Sequence, residues 1–137
     1  MRLIYFFSLI IAFLLSCDSK EKYICDTYVN IEIDLNLPEF SDLNVIGKSI
    51  FVDGGCKGII IYKSATNEYK IYDRNCSFEP ALNCSFVDSI NATVAYCNCC
   101  PSAFLIDQNG IPVNSPALLP LKKYNYTLNN QVLYIFN

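Results

Sequence analysis

The chain has 137 residues, a net charge of −3 and eight cysteines, and it contains neither histidine nor tryptophan. The acidic balance and the lack of a basic cluster argue against a nucleic-acid partner, because phosphate binding needs several Lys or Arg residues on one face. Without histidine, a Ser-His-Asp hydrolase, a Cys-His protease and a His-ligated zinc site are excluded. Any chemistry that this chain performs must therefore use its cysteine sulfurs.

The beginning of the chain has the layout of a secretory signal. Arg2 precedes an apolar run over residues 3–15 that only Ser8 interrupts. An α-helix needs about 20 apolar residues to cross the hydrocarbon core of a bilayer, and this run is shorter. The pattern therefore favours a cleaved leader over a permanent spanning helix.

The segment Leu14-Leu15-Ser16-Cys17 resembles a lipobox, where a peptidase cuts just before a cysteine that carries a diacylglycerol. We predict a lipoprotein signal peptide over residues 1–16, a lipidated tether over 17–27 and a single domain over 28–137. Cys17 would be the lipid anchor of an exported protein on the cell membrane or outer membrane. An ordinary secretory signal that is cut near Ser16 is the alternative.

The first half of the domain contains four predicted strands. Val29, Ile31, Ile33 and Leu35 alternate with polar residues, which indicates a half-buried strand that ends at Pro38. Residues 50–52 form a short strand, and the β-branched run over 58–62 is typical of a fully buried one. Residues 69–72 return from it through a turn, which predicts a hairpin.

The second half of the domain continues in the same way. Strands are predicted over residues 93–96 and 103–106, followed by a turn over 107–110 and a stretch with three prolines. A final hairpin pairs residues 122–128 with 131–136 around Asn129-Asn130. Since no segment after the leader has a sustained helical period, we expect an all-β fold, a small antiparallel sandwich or barrel.

Two cysteine motifs resemble the two loops of a Rieske-type [2Fe-2S] domain: Asn75-Cys76-Ser77-Phe78 and Cys97-Asn98-Cys99-Cys100-Pro101-Ser102-Ala103-Phe104. That family carries Cys-x-His in the first loop and Cys-Pro-x-His-Gly-Ser-x-Phe in the second, with two sulfurs on one iron and two imidazoles on the other. The order of strands is similar too, as is the segment 115–121, which corresponds to the proline loop that covers the family's cluster. The resemblance implies a Rieske-like fold with a cysteine-rich two-loop subdomain.

The resemblance also implies a ligand set, and here the chain departs from the family. Cys76 and Cys97 fall at the thiolate positions, whereas Phe78 and Cys100 fall at the histidine positions. Both histidine ligands of a standard Rieske centre are therefore absent.

A metal site made from sulfur alone is the first interpretation of these cysteines. Its ligands would be Cys76, Cys97 and Cys100, with Cys84 or Cys99 as the fourth. Such a site could hold an all-cysteine [2Fe-2S] cluster that transfers electrons, or a structural zinc ion.

The second interpretation is that no metal is bound and the cysteines form disulfides, as exported cysteines usually do. The resemblance implies a bond between Cys84 and Cys99, because quinol-oxidising Rieske proteins join their two loops in this way. Cys25 would pair with Cys56. Cys76 would pair with Cys97 or Cys100. With Cys17 lipidated, seven cysteines remain, so at least one has no disulfide partner within the chain.

A redox pair is the third interpretation. Cys97 and Cys100 have Cys-x-x-Cys spacing, but no helix that would lower a thiol pKa is predicted after them. We favour the disulfide interpretation: a membrane-anchored lipoprotein with a degenerate Rieske-like site that serves as a binding or scaffolding module, without enzymatic activity. Its protein or redox partner is not predicted by the sequence.

Overall fold

The computed structural model describes residues 24–137. The predicted signal peptide and the predicted lipidation site Cys17 lie outside the described residues, as does most of the predicted tether. The last tether residues, 24–27, are described: Ile24 is buried and Cys25 forms a disulfide. Among the described residues, no helix is long and apolar enough to cross a membrane.

The described part of the chain consists of ten short strands and one 3-10 helix. In chain order these are β1 (Asn30–Asp34), the 3-10 helix (Pro38–Asn44), β2 (Ser49–Val52), β3 (Ile59–Ala65), β4 (Glu68–Asp73), β5 (Val87–Asn91), β6 (Val94–Cys97), β7 (Ala103–Leu105), β8 (Ile111–Asn114), β9 (Asn125–Asn129) and β10 (Val132–Phe136).

The strands form three antiparallel sheets, ordered β1-β10-β9, β2-β3-β4 and β5-β6-β7-β8. The predicted all-β, antiparallel class is therefore confirmed. The hairpin β3–β4 aligns Ile61 with Ile71, and β9–β10 aligns Leu128 with Leu133. The tight turn of the second hairpin lies at Asn130 and Gln131, which both adopt the positive φ that such turns require, and not at the predicted pair Asn129-Asn130, because Asn129 still pairs with Val132.

Strand β3 separates two hydrophobic cores. Side chains alternate between the two faces of a strand, and here both faces are covered. Ile59 and Ile61 pack into the first core, whereas Ile60 and Tyr62 pack into the second. The three isoleucines are 0% exposed, so the prediction of a fully buried strand is confirmed.

The two cores lie between different pairs of sheets. The first fills the space between β2-β3-β4 and β1-β10-β9, and Leu43 of the 3-10 helix extends it. The second lies between β3-β4 and the cysteine-bearing sheet, and it includes Cys76 and Cys97 together with Phe104. The two cysteine sulfurs are thus embedded in apolar packing.

Three elements were not predicted. Strand β5 turns mostly exposed polar residues outward, so it lacks a clear apolar alternation. Strand β8 contains Pro112, which is tolerated because β8 is an edge strand of its sheet. The 3-10 helix begins at Pro38, where the first strand was expected to end, and it is too short to produce a helical period.

Candidate metal centre

The first cysteine loop connects β4 to β5 and folds back on itself. The backbone N–H of Cys76 donates to the carbonyl of Ser85 at 3.0 Å. The Ser85 hydroxyl, which is buried, donates to the carbonyl of Phe78 at 2.6 Å. These bonds hold Cys76 at the base of the loop, where its side chain is 0% exposed.

The second cysteine loop connects β6 to β7 and is tied to the segment 115–121. The N–H of Cys97 donates to the carbonyl of Ser102 at 3.0 Å. The buried hydroxyl oxygen of Ser102 accepts a hydrogen bond from the N–H of Ala117 at 3.0 Å. The hydroxyl of Ser77 in the first loop donates to Leu119 at 2.6 Å, so the segment 115–121 is fastened to both loops.

A buried carboxylate supports the first loop from below. Asp73 is 0% exposed and accepts hydrogen bonds from the N–H of Cys56 at 2.6 Å, the N–H of Asn75 at 2.7 Å and the hydroxyl of Tyr124 at 2.6 Å. The sequence analysis did not identify this role of Asp73. Its partners come from distant parts of the chain, which only the tertiary fold brings together.

Two disulfides brace the domain. Cys25 is bonded to Cys56 with a Cα–Cα distance of 6.0 Å, and Cys84 is bonded to Cys99 with a Cα–Cα distance of 5.5 Å. The first attaches the N-terminal segment to the loop before β3. The second joins the two cysteine loops to each other.

The other three described cysteines are free thiols, and they lie together. The sulfurs of Cys76, Cys97 and Cys100 are all within 4.8 Å of one another. The sulfurs of Cys76 and Cys100 are 3.8 Å apart. The expected disulfide of Cys76 with a second-loop cysteine is therefore not formed in this structure.

The three thiols differ electrostatically. Burial, together with the contact to the Cys100 sulfur, raises the pKa of Cys97 to about 12. Burial also raises the pKa of the Cys76 thiol. At Cys100 burial acts in the same direction, but hydrogen bonds from Ser102 and the neighbouring sulfurs outweigh it, so the pKa of this thiol is lowered. Cys100 is the most acidic of the three.

Comparison with known proteins identifies the fold. No protein-family model and no curated protein matches the sequence. Among solved structures, the chain is similar to the ferredoxin of carbazole 1,9a-dioxygenase from Nocardioides aromaticivorans IC177, with a TM-score of 0.51 and 15% identity over 80% of this chain and 97% of that one. The fold is Rieske-like.

A second solved structure agrees with the first. It is a chain from the complex of reduced oxygenase and oxidised ferredoxin in carbazole 1,9a-dioxygenase, with a TM-score of 0.50 and 14% identity. The match covers 78% of this chain and 99% of that chain. The expected Rieske-like type of all-β fold is thus confirmed.

The residues of this Rieske-like domain do not fit a two-iron cluster. The resemblance places Phe78 at one ligand position, and its partly buried ring packs against the second core and offers no donor atom. We expected Cys84 or Cys99 to serve as the fourth ligand, but their sulfurs are bonded to each other in this structure and neither is a thiol. In the part of the chain that the structure describes, three thiols remain for a cluster that takes four ligands.

The site retains the capacity to hold a metal in a different way. The three thiols form a compact group whose sulfurs are close enough to contact one ion. The arrangement is less suited to disulfide exchange. Strand β7 begins at Ala103, three residues after Cys100, so no helix N-terminus activates the Cys-x-x-Cys pair.

Proposed function

We propose that the protein is an exported lipoprotein, held at a membrane surface by a lipid on Cys17, whose Rieske-like domain is a binding module and not a Rieske electron carrier. The observation that carries this proposal is the ligand set. Within residues 24–137, a Rieske-like domain that lacks both histidines, has Phe78 in the first loop and uses Cys84 and Cys99 in a disulfide offers three thiols only.

The disulfides support the role of a stable module outside the cell. Each closes a loop of moderate length, at sequence separations of 31 and 15 residues. Bonds of this kind contribute about 3 kcal/mol each to the stability of a small domain. Such bonds persist in oxidising compartments, which agrees with the export that the leader predicts.

The attachment of the N-terminal segment supports the anchoring role. Cys25, eight residues after Cys17, is bonded to Cys56 in the loop before β3. The ammonium group of Lys122 donates to the carbonyl of Cys25 at 3.0 Å and lies 4.0 Å from the carboxylate of Asp26. A short tether that is fixed in this way would keep the domain close to the lipid surface.

Electron transfer by an all-cysteine [2Fe-2S] cluster is the second candidate, and the grouping of three free thiols favours it. A fourth thiolate would be needed. Reduction of the Cys84–Cys99 bond would release one, at the cost of the link between the two loops. This candidate thus predicts iron in protein that lacks that disulfide.

The deciding experiment is the analysis of the full chain, purified in detergent without oxygen from cells that are competent in cluster assembly. We expect no iron or sulfide, no visible absorption, and three titratable thiols per denatured chain if Cys17 is lipidated. Iron near two per chain, with thiolate-to-iron absorption bands, would overturn the binding-module proposal.

Anchoring is tested separately in the same cells. Radioactive palmitate should label the protein and should not label the variant Cys17→Ser. The variant should also leave the membrane fraction. An unlabelled wild-type protein in the soluble fraction would contradict lipid anchoring and would leave the ligand-set argument unaffected.

A further inference from the structure

We propose that Cys76, Cys97 and Cys100 form a three-coordinate site for a single Cu(I) ion. Three sulfurs in a plane at about 2.3 Å from one metal lie about 4.0 Å apart. The sulfurs of Cys76 and Cys100 are 3.8 Å apart, and no pair in the group is separated by more than 4.8 Å. Small side-chain movements would therefore bring all three to bonding distance of a central ion.

The donors at this site are of one kind. Within residues 24–137, these thiols are the only group of three or more potential ligand side chains, and no carboxylate belongs to it. The chain has no histidine. Ser102 Oγ lies 3.2 Å from the Cys100 sulfur, and it already accepts a hydrogen bond from the N–H of Ala117.

Burial raises the pKa of Cys76 and Cys97, and the backbone next to each of the three thiols acts against burial. The backbone of Phe78 acts to lower the pKa of the Cys76 thiol, that of Cys99 the pKa of the Cys97 thiol, and that of Ser102 the pKa of the Cys100 thiol. In each case this backbone group lies two residues after the ligand. Backbone hydrogen bonds favour the thiolate form that a metal requires.

The choice of ion follows from the number and softness of the ligands. Sulfur ligands select Cu(I), zinc and iron–sulfur clusters over harder cations. Structural zinc sites and two-iron clusters take four protein ligands, whereas this group has three. Cu(I) is stable with three thiolates, and the burial of Cys76 and Cys97 shields it from water and oxidant.

The inference rests on the proposed function, because a two-iron cluster would use the same sulfurs. Binding involves no change of oxidation state. Cu(I) is transferred from a competing chelator, three metal–sulfur bonds form, and the thiol protons pass to solvent.

The test is an anaerobic titration of the full chain in detergent with Cu(I) that is supplied as its bicinchoninate complex. We expect one Cu(I) per chain, with ultraviolet thiolate-to-Cu(I) absorption, and no comparable uptake of Zn(II) from a zinc chelator. Alkylation followed by mass spectrometry, which needs no variant, should find Cys76, Cys97 and Cys100 protected when Cu(I) is bound.

Variants locate the site. Cys76→Ser, Cys97→Ser and Cys100→Ser should each lower the Cu(I) affinity by at least about 100-fold, since loss of an outer partner alone costs about 10- to 100-fold. The matched control is the double variant Cys25→Ser, Cys56→Ser, which removes two sulfurs elsewhere and should bind Cu(I) as the wild type does.

Several outcomes would overturn the inference. They are the absence of stoichiometric Cu(I) binding, Zn(II) bound more tightly than Cu(I) by the same protein, and full alkylation of the three thiols in the presence of Cu(I). If the protein contains no iron and fails these tests, the copper site is wrong and the proposed function stands. If it contains a two-iron cluster, both are wrong.

Discussion

Removing the hydroxyl of Tyr124 tests the buried support beneath the first cysteine loop. Tyr124 is 1% exposed, and its hydroxyl donates to the Asp73 carboxylate at 2.6 Å. The substitution Tyr124→Phe keeps the ring in the first core and removes one of three hydrogen bonds to a buried charge. Hydrogen bonds to charged groups contribute about 1.5–3 kcal/mol, and we expect the free energy of unfolding at pH 8 to fall by about this amount.

The pH dependence of this difference is a sharper test. Burial, then the hydrogen bond and the charge of Asp73, raise the pKa of Tyr124 far above its ordinary value. In the unfolded chain tyrosine ionises near pH 10. A group whose pKa is raised by folding stabilises the folded state fully below its unfolded pKa, and this stabilisation is lost as the pH rises above it. The wild type should thus lose about 1.4 kcal/mol between pH 8 and 11 through Tyr124 alone.

The assay is urea unfolding of both proteins at pH 8 and pH 11, read within minutes of a pH jump so that disulfides do not rearrange. Tyr72, whose pKa burial also raises, is present in both proteins, so its contribution cancels. The difference between the free energies of unfolding of wild type and Tyr124→Phe should be smaller at pH 11 than at pH 8 by about 1.4 kcal/mol. A gap that is equal at both pH values would refute the argument. Tyr134→Phe on β10, where the side chain is 36% exposed, is the matched control and should change stability by less than about 0.5 kcal/mol.

Three further substitutions test the fold around the site, each by urea unfolding under non-reducing conditions. The double variant Cys84→Ser, Cys99→Ser opens a link of 15 residues' separation and should cost about 3 kcal/mol; unchanged stability would contradict a bracing role. Ser102→Ala leaves a buried N–H without its acceptor and should cost about 1–3 kcal/mol, whereas a cost near zero would mean that the segment 115–121 is held otherwise. Gly110 has a φ of +68°, and a Cβ at this position would lie only 3.1 Å from two buried side chains, whereas Gly47 has a φ of +87° and a Cβ there would have no atom within 4 Å. Gly110→Ala should therefore lower the free energy of unfolding more than Gly47→Ala does, and equal losses would refute the packing argument.

The hydrophobic pattern predicted those strands whose buried side chains alternate with polar ones or form a continuous apolar run. The run of isoleucines in β3 and the alternation in the final hairpin both report burial directly. Strands β5 and β8 were not predicted because most of their side chains are exposed, so their positions depend on pairing with β6 and β7.

The candidate site was predicted in part. The resemblance to a Rieske domain placed Cys76, Cys97 and Cys100 in one site, and the structure has their sulfurs within 4.8 Å of one another. The sequence could not predict that these three thiols are free, because exported cysteines usually form disulfides and the sequence does not give the local geometry of the sulfurs. The hydrogen bonds of Asp73 join Cys56, Asn75 and Tyr124, and no spacing along the chain signals such a junction.

The central position of β3 couples the two hydrophobic cores. Since Ile59 and Ile61 belong to one core and Ile60 and Tyr62 to the other, neither core can open without exposing this strand. Any ligand held by the cysteine loops would therefore slow hydrogen exchange in β9 and β10 as well, on the far side of the molecule, because the folded state as a whole is what the ligand binds. A ligand bound at the cysteine loops would thus slow hydrogen exchange in the C-terminal hairpin without any movement of the hairpin relative to the loops.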